Sequence, residues 1–226
     1  MSINLSNRIA LVTGASRGIG YFTALALAKA GAHVIACART VGGLEDLDDA
    51  IQAAGGSATL VPFDLSDMNA IDALGASIFE RWGKLDILVA NAAMLGVISP
   101  VTHVEAKVFD KVMAINVTAT WRLIRSVEPL LLRSDAGRAI VLSVEALVRT
   151  WAAEQEKSHL RINSVDPGAT RTAMRAQAMP GEDKDALPHP ETVAEALLPL
   201  VAPDLTVTGK LFVVRENRFV DYRMPE

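Results

Sequence analysis

One cysteine, two tyrosines and an aromatic share of only 5% stand out as scarcities in this 226-residue chain. The single thiol, Cys37, cannot close an internal disulfide, and its place in the apolar run HVIACA reads as a buried, inert thiol suited to a reducing compartment. No segment reaches the ~18 uninterrupted apolar residues of a membrane span. The start MSINLSNRIA has neither the apolar stretch nor the cleavage site of a signal peptide, so the expectation is a cytoplasmic protein with no membrane partner. A basic surplus is also absent. Lys and Arg number 22 against 26 Asp and Glu, a net charge of -4, which gives nucleic-acid phosphates no electrostatic footing. The four histidines, His33, His103, His159 and His189, show no ligand-like clustering, so no metal is assigned.

What is present is apolar sequence in a regular rhythm. With 50% hydrophobic and 21% charged residues the chain can bury a substantial core, and it reads as one domain over residues 1–226. Runs rich in Val, Ile and Leu predict strands at Ile9–Thr13, His33–Cys37, Ala58–Phe63, Ile87–Ala90, Arg138–Ser143, Arg161–Val165 and Lys210–Val214. Helical patterns fill most of the intervals: Gly18–Lys29, Leu44–Ala54, Met68–Trp82, Val104–Met113, Val117–Leu131, Glu145–Lys157 and Glu191–Val201. Strands apolar without alternation are covered on both faces, and the helices between them supply the cover. The expected fold is therefore α/β: a doubly wound parallel sheet of about seven strands made by right-handed crossovers. AMPGEDKDALPHP, Ala178–Pro190, reads as a flap rather than a domain boundary.

Three glycines, Gly14, Gly18 and Gly20, lie in LVTGASRGIG between the first strand and the first helix. There the missing side chains let the backbone approach a pyrophosphate, and the helix N-terminus offers free amides from Ser16 to Ile19. A purely structural turn is the alternative for the glycines taken alone. The second strand ends in CARTVGG, where an acidic residue would anchor a ribose hydroxyl. Arg39 stands there instead and, with Arg17 of the glycine loop, is suited to clamp a 2′-phosphate. NADP(H) is thus the preferred cofactor, with NAD(H) possible.

Further segments, LVANAA at Leu88–Ala93, INV at Ile115–Val117 and RINSVDPGATRT at Arg161–Thr172, follow in an order that resembles the short-chain dehydrogenase/reductase family across essentially the whole chain. The resemblance implies a Rossmann-type dinucleotide fold and hydride transfer between a carbonyl and an alcohol on a small or medium-sized molecule. It implies roles by position: Asp64 and the following Leu65 at the adenine, and Asn91, Ala92 and Ala93 beside the cofactor. In the family's strand-end motif the first Asn and the final Gly are replaced here by Ala90 and Ala93. Asn116 would hold a proton-relay water, Pro167 and Gly168 would face the nicotinamide, and Thr172 would hold its carboxamide. Capping of turns is the alternative for Asp64 and Asn116. A homodimer or homotetramer is also implied, with Leu147, Val148, Trp151 and Ala152 fitting a seam or, equally, the face of a helix turned to its own sheet.

The family needs a serine, a tyrosine, and a lysine four residues after the tyrosine, so that Tyr and Lys share one helix face. This chain has only Tyr21 and Tyr222, neither followed by lysine at that spacing. GRAIVLS resembles the strand leading to the catalytic serine, assigned to Ser143 or its neighbour, and VEALVRTWAAE resembles the helix just beyond the lysine. About twenty residues are missing between, and a direct step from Ser143 to a helix at Val144 is awkward, since one link advances ~3.8 Å while a helix lies roughly 10 Å off its sheet. Two readings stand. Either the chain is truly shortened, or a disordered active-site loop carrying Tyr and Lys belongs near residues 143–145 and is missing from the sequence as written; the second is favoured.

Overall fold

A computed structural model of the chain describes residues 3–222. Eight strands form one sheet in the order β3-β2-β1-β4-β5-β6-β7-β8. They are β1 (Ile9–Thr13), β2 (His33–Ala38), β3 (Ser57–Pro62), β4 (Ile87–Ala90), β5 (Arg138–Val141), β6 (Arg161–Asp166), β7 (Leu211–Val213) and β8 (Arg218–Val220). All neighbours pair in parallel except β7 and β8. The crossover helices are α1 (Gly18–Lys29), α2 (Val41–Ala53), α3 (Met68–Trp82), α4 (Ala106–Met113), α5 (Ala119–Leu131), α6 (Glu145–Glu154), α7 (Ala173–Ala178) and α8 (Pro190–Leu197). Two apolar clusters, one on each face of the sheet, bury the central strands. One contains Val12, Val34, Val89 and Leu197; the other contains Leu11, Ile35, Leu88 and Val127. Successive residues of one strand thus enter opposite layers, as a doubly covered sheet requires.

β8 adds an eighth strand to the about seven expected. β8 is a three-residue antiparallel strand turned back on β7 through Asn217 at φ +47°. Its short polar approach carries too little apolar pattern to be read as a strand. α7, six residues between Thr172 and the flap, was likewise invisible to periodicity.

The larger correction falls at the junction after β5. The expected strand Arg138–Ser143 stops at Val141, so three residues, Leu142, Ser143 and Val144, carry the chain to α6. Three residues lie within the two to six that strand-to-helix connections use. Closure falls on Val144, held at φ +49°, ψ +50°. A β-branched residue is a genuine outlier in that region, because its Cβ crowds the next carbonyl. The strain is therefore concentrated where the sequence looked too short.

Val148, Trp151 and Ala152 are buried within the chain, with Trp151 Nε1 donating to Glu128 Oε1 at 2.7 Å. The helix face suggested as an oligomer seam is covered by the chain's own sheet and α5; Leu147 is only partly buried.

At the opposite end of the strands from the glycine loop, Asp86 is fully buried. It accepts from Ser134 Oγ at 2.5 Å, Ile9 N at 2.9 Å, Lys84 Nζ at 2.9 Å and Arg8 Nη1 at 3.0 Å. Burial pushes its carboxyl upward, but those four donors outweigh it and hold the group below the usual carboxylate range.

Candidate active site

The carboxyl ends of the parallel strands open into an elongated cleft of about 700 Å³. That is where open α/β sheets place ligands, at the point where strand order reverses between β1 and β4.

One wall is the glycine loop. Gly14 has φ +69°, and a Cβ there would lie 2.9 Å from Asn91 Nδ2 and 3.0 Å from Ala92 Cα. A Cβ on Gly20 would lie 2.5 Å from the same Nδ2 and collide with the carbonyl of Gly14. These two glycines are thus required by close backbone approach. Asn91 is the reciprocal part: its Nδ2 donates to Thr13 O at 2.9 Å, while Thr13 Oγ1 accepts from the backbone N–H of Asn91 and of Ala92, each at 3.1 Å. The ends of β1 and β4 are locked together, and the loop is held over the start of α1.

Gly14, Ser16, Arg17, Gly18, Ile19, Arg39, Asp64, Leu65, Asn91, Ala92, Ala93, Pro167 and Thr172 all line the cleft. At the end formed by β2 and β3, Arg39 Nη1 lies 3.6 Å from Asp64 Oδ2. The backbone N–H of Ser66, and then Arg39, hold the Asp64 carboxyl below its usual range, so it is ionised at neutral pH. Cys37 sits beneath this end, buried, with its thiol pushed up to about 12 by desolvation. It is the inert thiol expected.

Four of the expected residues stand outside the lining. Gly20 is buried beneath the loop, and Gly168 is exposed with open space beside it. Asn116 sits on a π turn, Ala114–Thr118, that joins α4 to α5. Its Nδ2 donates to Met94 O at 2.9 Å and its Oδ1 accepts from Met94 N at 2.8 Å, so the side chain pins the segment after β4. Ser143 is also outside. Because β5 ends at Val141, Leu142 reaches the cleft and Ser143 does not.

Residues that the sequence did not assign to the site also line the cleft, among them Met94, Lys111, Ile115, Leu142, Arg171 and Met174. Lys111 and Ile115, spaced i and i+4, share one helical face, which is a readable signal only once α4 is known to face the cleft.

A glycine-bridged loop at a helix N-terminus, an arginine just after β2 and a cleft over a parallel sheet define a dinucleotide-binding protein of Rossmann type. The comparisons narrow the class. The family described as short chain dehydrogenase matches residues 8–146. The oxidoreductase YciK of Escherichia coli K12 is 33% identical, with 95% of this chain and 94% of that protein covered. A solved structure from Escherichia coli CFT073, complexed with NADPH, superposes with a TM-score of 0.90 at 32% identity, covering 95% of this chain and 99% of the other. An NAD-dependent oxidoreductase of Mycobacterium tuberculosis H37Rv is 30% identical over 76% of this chain and 74% of its own length. The chain belongs to the short-chain dehydrogenase/reductase family, whose members are NAD(P)-dependent oxidoreductases.

The alignment with YciK spans 238 positions, yet 95% of 226 residues is about 215, so about 23 aligned positions face no residue of this chain. That shortfall is similar in size to the stretch that the family resemblance implies between Ser143 and Val144.

Proposed function

We propose that the protein is an NADP(H)-preferring oxidoreductase that interconverts a carbonyl and an alcohol on a small or medium-sized molecule, acting in the cytoplasm. The observation that carries the cofactor preference is the end of β2. Arg39 stands where a ribose-binding carboxylate would be, and Arg17 lines the same cleft. NAD(H) binds more weakly in this reading.

The residues present fit the dinucleotide: the glycine cradle would be filled by any Cβ at Gly14 or Gly20, and the cleft carries cations along its length. When bound, the cofactor supplies or accepts a hydride at its nicotinamide ring. The chain's own residues do the holding. The amides of Ser16 to Ile19 face the pyrophosphate, and Arg17 and Arg39 pair with the 2′-phosphate, Arg39 at the expense of its contact with Asp64. Asp64 and Leu65 border the adenine, with Asn91, Ala92 and Ala93 fixing the loop opposite. Pro167 and Gly168 present the turn beside the nicotinamide, and Thr172 holds its carboxamide. Asn116 positions the segment through Met94. A homo-oligomer remains part of the proposal, supported by exposed Phe109, Met113 and Trp121 on α4 and α5 rather than by α6.

The test is a titration with both cofactors. NADPH is expected to bind at least tenfold tighter than NADH, since a charge-assisted contact contributes about 1.5 kcal/mol or more. An Arg39→Ser variant should erase most of the difference. Equal or tighter NADH binding overturns the roles given to Arg17 and Arg39.

A second reading is favoured by a specific observation. The chain has no Tyr with Lys four residues on, and Ser143 stands outside the cleft. In that reading the protein binds the dinucleotide as a regulatory or inactive partner and does not turn over. Intact mass separates the two. A mass of 24.1 kDa supports the shortened chain and the binding reading, whereas a mass about twenty residues heavier restores a Tyr and Lys segment near residues 143–145.

A further inference from the structure

Residues of α7 and the flap line a second cavity of about 400 Å³, which shares Arg171, Thr172 and Ala173 with the cleft. Its charge is mostly positive. Arg171, Arg175 and Lys184 border it with one carboxylate, Glu182, and Met179 and Leu187 supply apolar wall.

The two arginines are used differently. Arg175 holds Glu182 side-on, through Nε at 2.6 Å and Nη2 at 2.7 Å, the fork geometry that suits a carboxylate. Arg171 gives only Nη1, to Asp185 at 2.9 Å. Its Nε is buried, and the edge formed by Nε and Nη2 has no hydrogen-bond partner among the described residues. A buried donor without an acceptor is a cost that native folds seldom leave standing.

The neighbours indicate which group would meet that edge. The methyl of Thr172 lies 3.5 Å from where a Cβ on Gly18 would stand, so Thr172 faces the glycine loop, whereas the guanidinium of Arg171 is paired with the flap. Asp185, mostly exposed on a short 3-10 turn, Lys184–Ala186, is an internal stand-in for a ligand: a carboxylate already accepts from this arginine. An exposed ion pair of that kind is worth little, because water solvates both partners. A ligand carboxylate that displaced it could take Nε and Nη2 together, as Glu182 takes those of Arg175.

We propose that Arg171 is a substrate-specificity residue that selects carbonyl compounds bearing a carboxylate, the ligand's carboxylate displacing Asp185 and engaging the Nε and Nη2 edge. This rests on the reading of the chain as an NADP(H) oxidoreductase, in which the adjoining Thr172 holds the nicotinamide carboxamide.

The experiment is calorimetric titration of the full chain saturated with NADP⁺, so that no ketone is reduced. The probes are 4-oxopentanoate and 6-oxoheptanoate, each against its neutral amide of the same shape. The proteins are wild type, Arg171→Gln, Arg171→Lys, Asp185→Asn and Arg215→Gln, the last an exposed arginine outside both cavities that reports long-range charge. Thermal unfolding checks that each variant is folded. In wild type at least one oxo acid should bind about tenfold tighter than its amide, the effect of one charge-assisted hydrogen bond or more. Arg171→Gln should abolish that preference, and Arg171→Lys should restore little of it, because an ammonium lacks the fork. Asp185→Asn should strengthen acid binding by about twofold or more by removing the competitor. Arg215→Gln should leave the preference unchanged. Acid and amide binding alike in both pairs, a preference that survives Arg171→Gln, or weaker acid binding by Asp185→Asn overturns the inference. So does an Arg171→Gln variant that loses NADP⁺ affinity as steeply as acid affinity, which would make Arg171 a cofactor residue. Titration of wild type with NADP⁺ alone separates the two readings: failure to bind it overturns the oxidoreductase reading and this inference with it, whereas loss of the acid preference with NADP⁺ bound overturns the inference alone.

Discussion

Val144 gives the shortened junction a measurable signature. At φ +49° a residue with a Cβ pays roughly 1–2 kcal/mol, and a β-branched one more, for crowding the following carbonyl. Replacing Val144 with Ala removes the two methyls of a half-buried side chain, a loss of about 1 kcal/mol, but leaves a Cβ in the strained region. Replacing it with Gly removes the same packing and also the crowding, offset by about 0.5–1 kcal/mol for the greater freedom of the unfolded chain. Val144→Gly should therefore be more stable than Val144→Ala by about 0.5–1 kcal/mol, or a few degrees in Tm for a chain of this size. Ala146, exposed in the first turn of α6, is the internal reference: Ala146→Gly should cost about 0.5–1 kcal/mol, as glycine does in an ordinary helix. The opposite signs at two positions two residues apart, read as urea midpoints, are the test. If glycine is no better than alanine at 144, then Val144 is not left-handed and β5 reaches α6 by some other path, which is what additional residues at this point would provide.

The buried carboxylate at the other end of the sheet gives a pH-dependent prediction. Asp86→Asn should destabilise by about 2–3 kcal/mol, less than for a fully enclosed pair because Arg8 and Lys84 remain partly in water. Since the folded carboxyl titrates below its unfolded value, its stabilisation is full above about pH 4 and is lost as pH falls through the lower folded pKa. Wild type and variant should accordingly converge in acid urea melts, and a gap that widened on acidification would contradict the assignment. Cys37 should remain unmodified by a thiol reagent at pH 8 in the folded protein and react once unfolded, because burial holds its pKa near 12; rapid labelling of the native chain would refute that.

The central architecture was legible because the inner strands carry a signal that tertiary context does not alter. ALV of β1, VIAC of β2 and ILVA of β4 are apolar at successive positions, so each must be covered on both faces, and the helical periods between them state how. The glycine loop was legible for a similar reason, since its requirement is for absent atoms and Gly14 and Gly20 are where a Cβ would strike Asn91. What was not legible depends on where elements stop. Reading β5 through Ser143 assigned the cleft to that serine; the strand ends two residues earlier and Leu142 takes the position. Apolar runs do not mark their own ends, and no Gly or Pro stood there to do so. Lys111 was missed because a lysine on an amphipathic helix is ordinarily on its solvated face, and only the π turn and the clamp between Asn116 and Met94 set which way α4 looks.

The place of the short junction between β5 and α6 matters more than its length. Contacts that hold the cleft together run between β1, the start of α1 and β4: Thr13, Gly14 and Gly20 with Asn91 and Ala92. None of them involves α6 or the three residues before it. A change confined to residues 142–145 can thus alter the far end of the cleft without loosening the glycine loop or the end of β2. Affinity for a dinucleotide and the capacity to move a proton at the substrate oxygen are carried by different elements of this fold, and so can be gained or lost separately. Cofactor binding alone would then say little about turnover in this chain. Turnover needs a proton donor at the substrate oxygen, and Leu142, Met94 and Lys111 line the cleft. Of the three only Lys111 carries an exchangeable side-chain proton, and it stands on α4.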